Sequence, residues 1–260
     1  MVTFIAHRGA SLFAPENTMP AFILAHNTGI KNIECDVVLT ADKVPILMHD
    51  STLSRTTNGN GLVNQSSYEY IQTLDAGSWF HPNYKGTKVS KLSELLHWQA
   101  QTNSILYIEI KPILTQNFRE DLAIIMAEIN KFGDSNKIKI LSFQAQIFGQ
   151  IALDNNQLPR VLGTTYCSAQ TIDTAIENGC EQINISHEIC TQSLIEDIQQ
   201  AGLKIGVFTV NELDQIEELI SLGIDEIFTD NPTLPITAKS IIASHHTDPL
   251  SPKYQKSSPL

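Results

Sequence analysis

Cysteine is scarce in this chain, and the few cysteines present are far apart. Only 4 of the 260 residues are cysteine, and no two of them have the Cys-x-x-Cys spacing of a zinc ribbon. The spacing also argues against a dense disulfide framework, which is a feature of much shorter secreted domains. We therefore expect buried free thiols in a reducing compartment, at Cys35, Cys167, Cys180 and Cys190.

Basic residues and long apolar runs are also in short supply. The chain has 17 lysines and arginines against 28 aspartates and glutamates, a net charge of -11. Nucleic acids and anionic membranes are bound through basic surfaces, so neither is the expected partner, although a local cluster could bind a small anion. No apolar run approaches the roughly 18 residues of a spanning helix, and none is placed like a signal peptide. We expect a cytoplasmic protein without a stable membrane anchor; the composition leaves its oligomeric state open.

What the chain does contain is a regular alternation of short β-branched runs with amphipathic helical patterns. This alternation is typical of a parallel sheet covered by helices. The clearest helical patterns cover residues 117–132, 169–178, 191–201 and 211–222. Strands are predicted at residues 2–6, 32–38, 44–48, 105–110, 137–141, 160–163, 182–185, 204–208 and 226–228.

These predicted strands are one more than a (β/α)₈ barrel needs, and the connection at residues 40–43 explains the extra one. A parallel crossover takes about a dozen residues, so this short connection predicts an antiparallel hairpin. Without the return strand, the pattern predicts an α/β fold, a single (β/α)₈ TIM barrel. We expect one barrel domain over residues 1–243, with a small turn-rich insertion at about 51–90, after the second-strand hairpin, that caps one end. The tail, residues 244–260, is predicted to be disordered.

Three carboxylates lie near the C-terminal ends of predicted strands, which is the end at which the active sites of barrels are built. Side chains two apart on a strand share a face, so Glu34 and Asp36 point together and Cys35 points toward the helices. By the same rule, Glu109 and Lys111 share a face. Three carboxylates that converge on a barrel mouth would repel one another, and oxygen ligands select a hard cation. The pattern therefore predicts one divalent cation, Mg²⁺ or Ca²⁺.

Two histidines and two cationic residues follow neighbouring strands. His7 and Arg8 end the first strand, and the hairpin returns at His49. Arginine and lysine bind phosphate oxygens, and a pair of imidazoles can remove one proton and deliver another. Together with a divalent cation, these groups and Lys111 supply what cleavage of a phosphodiester requires. Lys111 has a second interpretation, in which it only neutralises Glu109 in an ion pair.

A series of short segments stands in a defined order along the chain. They are His7-Arg8-Gly9, Pro15-Glu16-Asn17-Thr18, Ala21-Phe22, Ile33-Glu34-x-Asp36-Val37, Thr40-x-Asp42, His49-Asp50, Leu53-x-Arg55-Thr56, Ile108-Glu109-Ile110-Lys111, Ser142-Phe143, Thr209-Val210-Asn211 and Thr229-Asp230-x-Pro232. This ordered set resembles the glycerophosphodiester phosphodiesterases from about residue 3 to 235. The resemblance implies a TIM barrel with a small insertion after the second strand. It also implies hydrolysis of glycerophosphodiesters such as glycerophosphocholine and glycerophosphoethanolamine to sn-glycerol 3-phosphate and an alcohol.

The resemblance implies a role for each of several side chains in these segments. The implied metal ligands are Glu34, Asp36 and Glu109. The implied acid–base pair is His7 and His49, and the implied phosphate ligands are Arg8 and Lys111. The implied supporting residues near the site are Glu16 and Asp50.

Three positions depart from the usual pattern of the family. Lys43 stands where glycine usually follows the hairpin aspartate, and Phe208 stands where tryptophan is common. Residues 89–92 differ from the usual Ile-Pro-x-Leu. None of these changes removes a chemical group from the predicted site, but Phe208 leaves the alcohol specificity open.

Three other functions stay open at this point. A related barrel of the lysophospholipase D type, or a lyase, would act on lipids, and such relatives are usually secreted with disulfides. A class I aldolase would use Lys111 as a Schiff base, which needs a lowered pKa that Glu109 opposes. A non-catalytic barrel would serve as a binding module, although every chemical position is intact.

Overall fold

Nine strands are present in the computed structural model, which describes residues 2–153 and 157–235. Each strand begins and ends within one residue of its predicted position. Their β-branched residues have restricted χ1 angles that suit an extended backbone. The strands are β1 (Thr3–Ala6), β2 (Asn32–Leu39), β3 (Pro45–Leu47), β4 (Ile105–Ile110), β5 (Ile138–Ser142), β6 (Arg160–Thr164), β7 (Gln182–Ser186), β8 (Lys204–Phe208) and β9 (Glu226–Thr229).

Eight of these strands form a closed parallel barrel. Around the ring the order is β1, β2, β4, β5, β6, β7, β8 and β9, and β9 pairs with β1 to close it. The ninth strand, β3, runs antiparallel to β2, with Val38 opposite Ile46. The short connection therefore forms the predicted hairpin, and the prediction of a (β/α)₈ TIM barrel is confirmed.

Helices lie between the strands of the barrel. The helix that begins at Gln192 is capped by Thr191, whose hydroxyl accepts a hydrogen bond from the backbone of Leu194. The last helix begins at Leu213, later than the predicted residue 211, because the side chain of Asn211 is bonded to Asp230 instead. The helices are α1 (Met19–Asn27), α2 (Tyr68–Ile71), α3 (Leu92–Ala100), α4 (Phe118–Phe132), α5 (Gln146–Leu153), α6 (Ala169–Glu177), α7 (Gln192–Gln200) and α8 (Leu213–Ser221).

The barrel wall separates two apolar layers. Alternate strand residues point outward, where Ile33, Cys35 and Val37 of β2 pack against the helices. A smaller set points into the barrel and includes Tyr107 and Phe228, whose rings meet edge to face at 5.6 Å. Each large apolar side chain buried in this way contributes about 1.5–3 kcal/mol. The outward position of Cys35 confirms its predicted orientation. Among the described residues, no helix is long and apolar enough to cross a membrane.

The predicted insertion packs around a small apolar cluster of its own. Asp75 organises its turns by accepting hydrogen bonds from the backbone of Gly77 and Ser78. Tyr84 donates a hydrogen bond to the carbonyl of Phe13, which places the insertion beside the loop after β1. The predicted tail, residues 244–260, lies outside the described residues. The cluster consists of Ile46, Met48, Leu53, Val63, Ile71, Leu74, Ala76 and Val89.

Candidate active site

Three carboxylates meet at the barrel mouth, the end at which β1, β2 and β4 finish. Parallel pairing of β2 with β4 places Asp36 directly opposite Glu109, and Glu34 lies two residues earlier on the same face. Each residue offers one oxygen, and these oxygens all lie within 4.8 Å of one another. All three side chains are buried, with Glu34 only 2% exposed. Three like charges at this spacing repel strongly unless cations lie among them.

Two cationic side chains contact this cluster. The ammonium of Lys111 lies 2.6 Å from Oε1 of Glu109 and 3.2 Å from Oδ1 of Asp36. The Nε of Arg8 lies 3.2 Å from Oδ2 of Asp36. The ion pair between Lys111 and Glu109 is therefore present, as one interpretation of the sequence proposed. Glu34 receives only the backbone N–H of Arg8, at 2.8 Å, and its buried Oε1 has no hydrogen-bond partner among the described residues.

Burial dominates the ionisation of the three carboxyls. It raises the pKa of Glu34 well above its usual range, and the charges of Asp36 and Glu109 add to this effect. Burial and Asp36 together raise the pKa of Glu109 to about 7. Burial also opposes ionisation of Asp36, but Lys111 and Arg8 outweigh it and lower the pKa of that carboxyl. Two of the three groups therefore resist ionisation at this mouth, because burial and mutual repulsion outweigh the attraction of the neighbouring cations.

The donor set fits one hard divalent cation. An all-carboxylate set with an unpartnered buried oxygen, Oε1 of Glu34, has the chemistry of a Mg²⁺ or Ca²⁺ site.

The same electrostatics argue against a Schiff base at Lys111. Burial opposes its charge, but Asp36 and Glu109 outweigh burial and raise the pKa of Lys111, whereas an aldolase lysine needs a lowered one.

His7 is oriented by a carboxylate from the far end of the chain. Its Nδ1 lies 2.8 Å from Oδ1 of Asp230, which also accepts from the hydroxyl of Ser11 at 2.9 Å. The amide of Asn211 donates to Oδ2 of Asp230 at 2.7 Å. Burial opposes ionisation of Asp230, but the hydrogen bond and charge of His7, together with the hydrogen bonds from Asn211 and Ser11, outweigh it and lower the pKa of Asp230 to about 2. With Nδ1 engaged, Nε2 of His7 is the nitrogen left for chemistry.

His49 is oriented by a chain of charged groups. Its Nδ1 lies 2.8 Å from Oδ1 of Asp50, and Arg55 binds the same carboxylate through Nε at 2.6 Å. Arg55 also donates to both oxygens of Glu16, at 2.7 and 2.8 Å. Glu16 in turn accepts from Nη1 of Arg8 at 2.9 Å. Arg55 therefore links His49 to the phosphate-ligand candidate Arg8, and burial lowers the pKa of His49 itself.

A cavity of about 370 Å³ joins these groups. His7 and His49 line it together with Glu34, Glu109 and the two cations of the cluster. Its opposite wall carries Phe143 and Phe208, whose ring centroids are 5.6 Å apart at 73°. Phe208, the residue that replaces the more usual tryptophan, is therefore part of the substrate wall. The arrangement can hold an anion, deliver protons from two oriented imidazoles and exclude part of the solvent.

The sequence predictions put all nine candidate side chains at this mouth, and the structure brings them together there. Three further residues had no predicted role, although each lies in a motif. Arg55 bridges Glu16 to Asp50, Asp230 orients His7, and Asn17 bonds the side chain and backbone N–H of Asp36 at 2.8 and 3.0 Å. Their presence in the ordered motifs was the signal available for finding them.

The hairpin departure also has a structural explanation. Lys43 has a φ of 62°, in the left-handed region that favours glycine. Its ammonium lies 2.6 Å from Oδ1 of the buried Asp121 in α4. The hairpin therefore holds a non-glycine residue in the left-handed region, with its side chain in an ion pair with α4.

Comparisons with known proteins agree with this geometry. The model of the "Glycerophosphoryl diester phosphodiesterase family" matches residues 7–234. A relative from Caldanaerobacter subterraneus subsp. tengcongensis, named glycerophosphodiester phosphodiesterase, is 30% identical over 233 residues, covering 88% of this chain and 93% of the relative. A solved phosphodiesterase of Oleispira antarctica, in complex with the product sn-glycerol-3-phosphate, has a TM-score of 0.86 at 28% identity and covers 93% of this chain and 96% of its own. The solved glycerophosphodiester phosphodiesterase of Agrobacterium tumefaciens has a TM-score of 0.77 at 31% identity, covering 90% and 98%.

Proposed function

The chain belongs to the glycerophosphoryl diester phosphodiesterase family and is an enzyme of that kind, and we propose that it hydrolyses soluble glycerophosphodiesters. Glycerophosphocholine and glycerophosphoethanolamine are the proposed substrates, and sn-glycerol 3-phosphate and the free alcohol are the products. One observation carries this proposal. His7 and His49, each oriented by its own carboxylate, line the same cavity as Glu34, Glu109, Arg8 and Lys111.

Glu34, Asp36 and Glu109 would hold one divalent cation. Such an ion supplies stabilisation of the negative charge that develops on a phosphoryl group during cleavage. Binding it would also satisfy Oε1 of Glu34, the oxygen that lacks a hydrogen-bond partner. The set of ligands supports Mg²⁺ and Ca²⁺ equally.

Arg8 and Lys111 would bind the nonbridging oxygens of the phosphodiester. The planar guanidinium of Arg8 suits a phosphate, and the Lys111 ammonium adds a point charge beside it. Both are held in place by carboxylates, Arg8 through Glu16 and Lys111 through Glu109. Because their positions are fixed before substrate binds, little ordering is needed when it does.

The two imidazoles would move the protons. One takes the proton of the glycerol hydroxyl next to the phosphoester, whose oxygen then bonds phosphorus to form a five-membered cyclic phosphate. The bond from phosphorus to the alcohol oxygen breaks, and the other imidazole, which starts protonated, gives that oxygen its proton. Water then opens the ring with the two roles reversed. His7 and His49 can alternate in this way because Asp230 and Asp50 hold them in fixed orientations.

A substrate without that hydroxyl separates this route from direct attack by water. We expect the deoxy analogue, 3-hydroxypropyl phosphocholine, to be cleaved at least about a hundredfold more slowly than glycerophosphocholine, because the proximity advantage is lost. A rate close to that of the parent would show that water attacks phosphorus directly.

We also propose a cytoplasmic location and a small-molecule partner rather than nucleic acid. All four cysteines are free, and two of them, Cys35 and Cys180, are buried. Free thiols suit a reducing compartment. The net charge of -11 disfavours both nucleic acid and an anionic bilayer as a partner.

The experiment that tests this function measures release of sn-glycerol 3-phosphate or lysophosphatidic acid from three substrates. They are glycerophosphocholine, glycerophosphoethanolamine and lysophosphatidylcholine micelles, each with and without a chelator. We expect the first two to be cleaved faster than the micelles, and only without chelator. Faster cleavage of lysophosphatidylcholine would favour the lysophospholipase D alternative instead.

A further inference from the structure

Asn184 is a polar side chain of the cavity that plays no part in the chemistry described above. Asn184 lies in the middle of β7, which is opposite β2 in the ring of eight strands. It lines the same cavity as His7 and Arg8, and it is only 1% exposed. Its Nδ2 is buried and has no hydrogen-bond partner among the described residues. A buried donor left without an acceptor is rare in a folded protein and points to a missing ligand.

The orientation of the Asn184 amide is determined by groups below it. The barrel floor consists of Tyr107, Lys139, Gln182 and Glu226, at the end opposite the mouth. There, Oε1 of Glu226 accepts from Tyr107 at 2.7 Å and from Lys139 at 3.3 Å. Its other oxygen accepts from Nε2 of Gln182 at 2.6 Å. A rotated Gln182 amide would turn a carbonyl against this carboxylate, so Nε2 must face Glu226.

Gln182, whose amide orientation is fixed by Glu226, fixes in turn the orientation of the Asn184 amide in the cavity. The same Nε2 donates to Oδ1 of Asn184 at 2.7 Å. A rotated Asn184 amide would place two donors against each other, so Oδ1 must face Gln182 and Nδ2 is left as the free donor. The carboxylate of Glu226 therefore sets the direction of an amide one layer above it.

The neighbouring strands leave room around this amide. In the strand register, Asn184 lies between Gly163 of β6 and Gly206 of β8. A Cβ at Gly206 would lie 2.3 Å from Oδ1 of Asn184, and a Cβ at Gly163 would lie 2.6 Å from the ring of Phe143. Larger residues at either position would displace the amide or the aromatic wall. The space around Asn184 therefore depends on two glycines.

We propose that Nδ2 of Asn184 donates a hydrogen bond to the terminal hydroxyl of the glycerol moiety and makes the enzyme selective for glycerol diesters. This inference rests on the proposed function. The phosphate is bound on the side of Arg8 and Lys111, and the hydroxyl next to the phosphoester stays close to it. The terminal hydroxyl is one carbon further away and can reach the opposite wall, where Asn184 offers the unpaired donor.

The test compares glycerophosphocholine with 2-hydroxypropyl phosphocholine, which lacks only the terminal hydroxyl and keeps the reacting one. We expect wild-type enzyme to prefer glycerophosphocholine by about tenfold in kcat/KM, the value of one hydrogen bond in a buried site. Asn184→Ala should lower kcat/KM for glycerophosphocholine by about the same factor and leave the analogue unchanged. Asn184→Asp keeps the acceptor for Gln182 but loses the donor, so it should abolish the preference as well.

Tyr107→Phe provides the matched control. It removes one hydrogen bond from Glu226 on the floor while Gln182 stays bonded, so its preference should equal that of wild type even if its Tm falls. An equal loss on both substrates in the Asn184 variants, or an unchanged preference, would overturn the assignment. If wild-type enzyme cleaves both substrates equally well, the assignment of Asn184 is wrong but the proposed function stands. Wild-type enzyme that cleaves neither would overturn the proposed function along with the assignment.

Discussion

Among the residues that the structure describes, the barrel buries one carboxylate at its floor, Glu226, and three at its mouth, and of these four only Glu226 accepts hydrogen bonds at both oxygens. At the floor, both oxygens of Glu226 accept hydrogen bonds, from Tyr107, Lys139 and Gln182. At the mouth, Oε1 of Glu34 has no partner among the described residues. Both regions use inward-facing side chains of strands of the same barrel, and β4 contributes to both, so the fold itself does not cause the difference.

The difference in hydrogen bonding between the floor and the mouth shows which region of the protein depends on a ligand. A buried charge with all its hydrogen bonds satisfied is a structural element, and removing a partner costs stability. A buried charge without them costs stability until something binds. The carboxylate of Glu226 is complete as it stands, whereas the mouth would be completed by a cation and a substrate. Active sites commonly conflict with folding in this way.

The largest effect is expected from removing the cation. Chelation, or Glu109→Gln, should lower kcat by more than about 10³-fold, because the charge that stabilises the phosphoryl group is lost. The matched change at the floor, Glu226→Gln, should lower activity by no more than about tenfold, the value of the Asn184 hydrogen bond that Glu226 orients. Steady-state assays of kcat, after removal of the metal has been verified, measure both effects. Full turnover in excess chelator would contradict this prediction, since the mouth would then work without a cation.

The next largest effect is expected from the imidazoles. His7→Ala and His49→Ala should each lower kcat by about 10²–10⁴-fold, the usual contribution of a general acid or base. His97, which is exposed on α3, is the control, and His97→Ala should be close to wild type. Kinetics on purified, folded variants measure this. If kcat of His7→Ala or His49→Ala fell as little as that of His97→Ala, the imidazole removed would not be part of the acid–base pair.

A smaller effect is expected from the group that orients His49. Arg55→Ala should lower kcat by about 10–100-fold, because Asp50 and Glu16 lose the guanidinium that holds them. The pKa of His49, followed by NMR, should move as well. Arg160→Ala is the control. Arg160 is the first residue of β6, so this variant shows how much kcat falls when an arginine outside the mouth is lost. An unchanged His49 resonance in Arg55→Ala would show that the chain of charges does not reach the imidazole.

The pH dependence of stability gives a further distinction. Burial raises the pKa of Glu109 to about 7 from a usual 4.5, so the folded protein holds a proton that the unfolded chain releases. Stability of the chelated protein should therefore fall by about 3 kcal/mol as the pH rises from about 4.5 to 7. Excess Mg²⁺ or Ca²⁺ should remove this fall. Denaturant unfolding at several pH values measures it, and a flat profile in chelator would contradict the account of the mouth.

Much of the fold follows from patterns that are local in sequence. Each strand is a short β-branched run with turn residues at its ends, which is why its bounds are predictable within one residue. The start of α8 is not, because it depends on a hydrogen bond from Asn211 to Asp230. The pairing of Glu34 with Asp36 on one face follows from strand geometry alone.

What could not be predicted are contacts between distant segments. Asp230 reaches His7 across 223 positions of sequence, and no local pattern pairs them. Arg55 comes from the insertion, whose turns have no periodicity from which its direction could be read. The floor network likewise combines β4, β5, β7 and β9. Only the closed barrel brings these side chains together.

The most direct test of the contrast between mouth and floor is the Tm of two matched variants in chelator. Glu34→Gln replaces a carboxyl whose ionisation the mouth opposes with a neutral amide, so it should raise the Tm of the chelated protein. Glu226→Gln removes a fully paired charge and should lower the Tm, by the equivalent of about 1–3 kcal/mol. Excess divalent cation should reverse the ranking of Glu34→Gln against wild type, since only wild type binds it tightly. If both variants lower the Tm alike in chelator, the mouth is as well balanced as the floor, and the account is wrong.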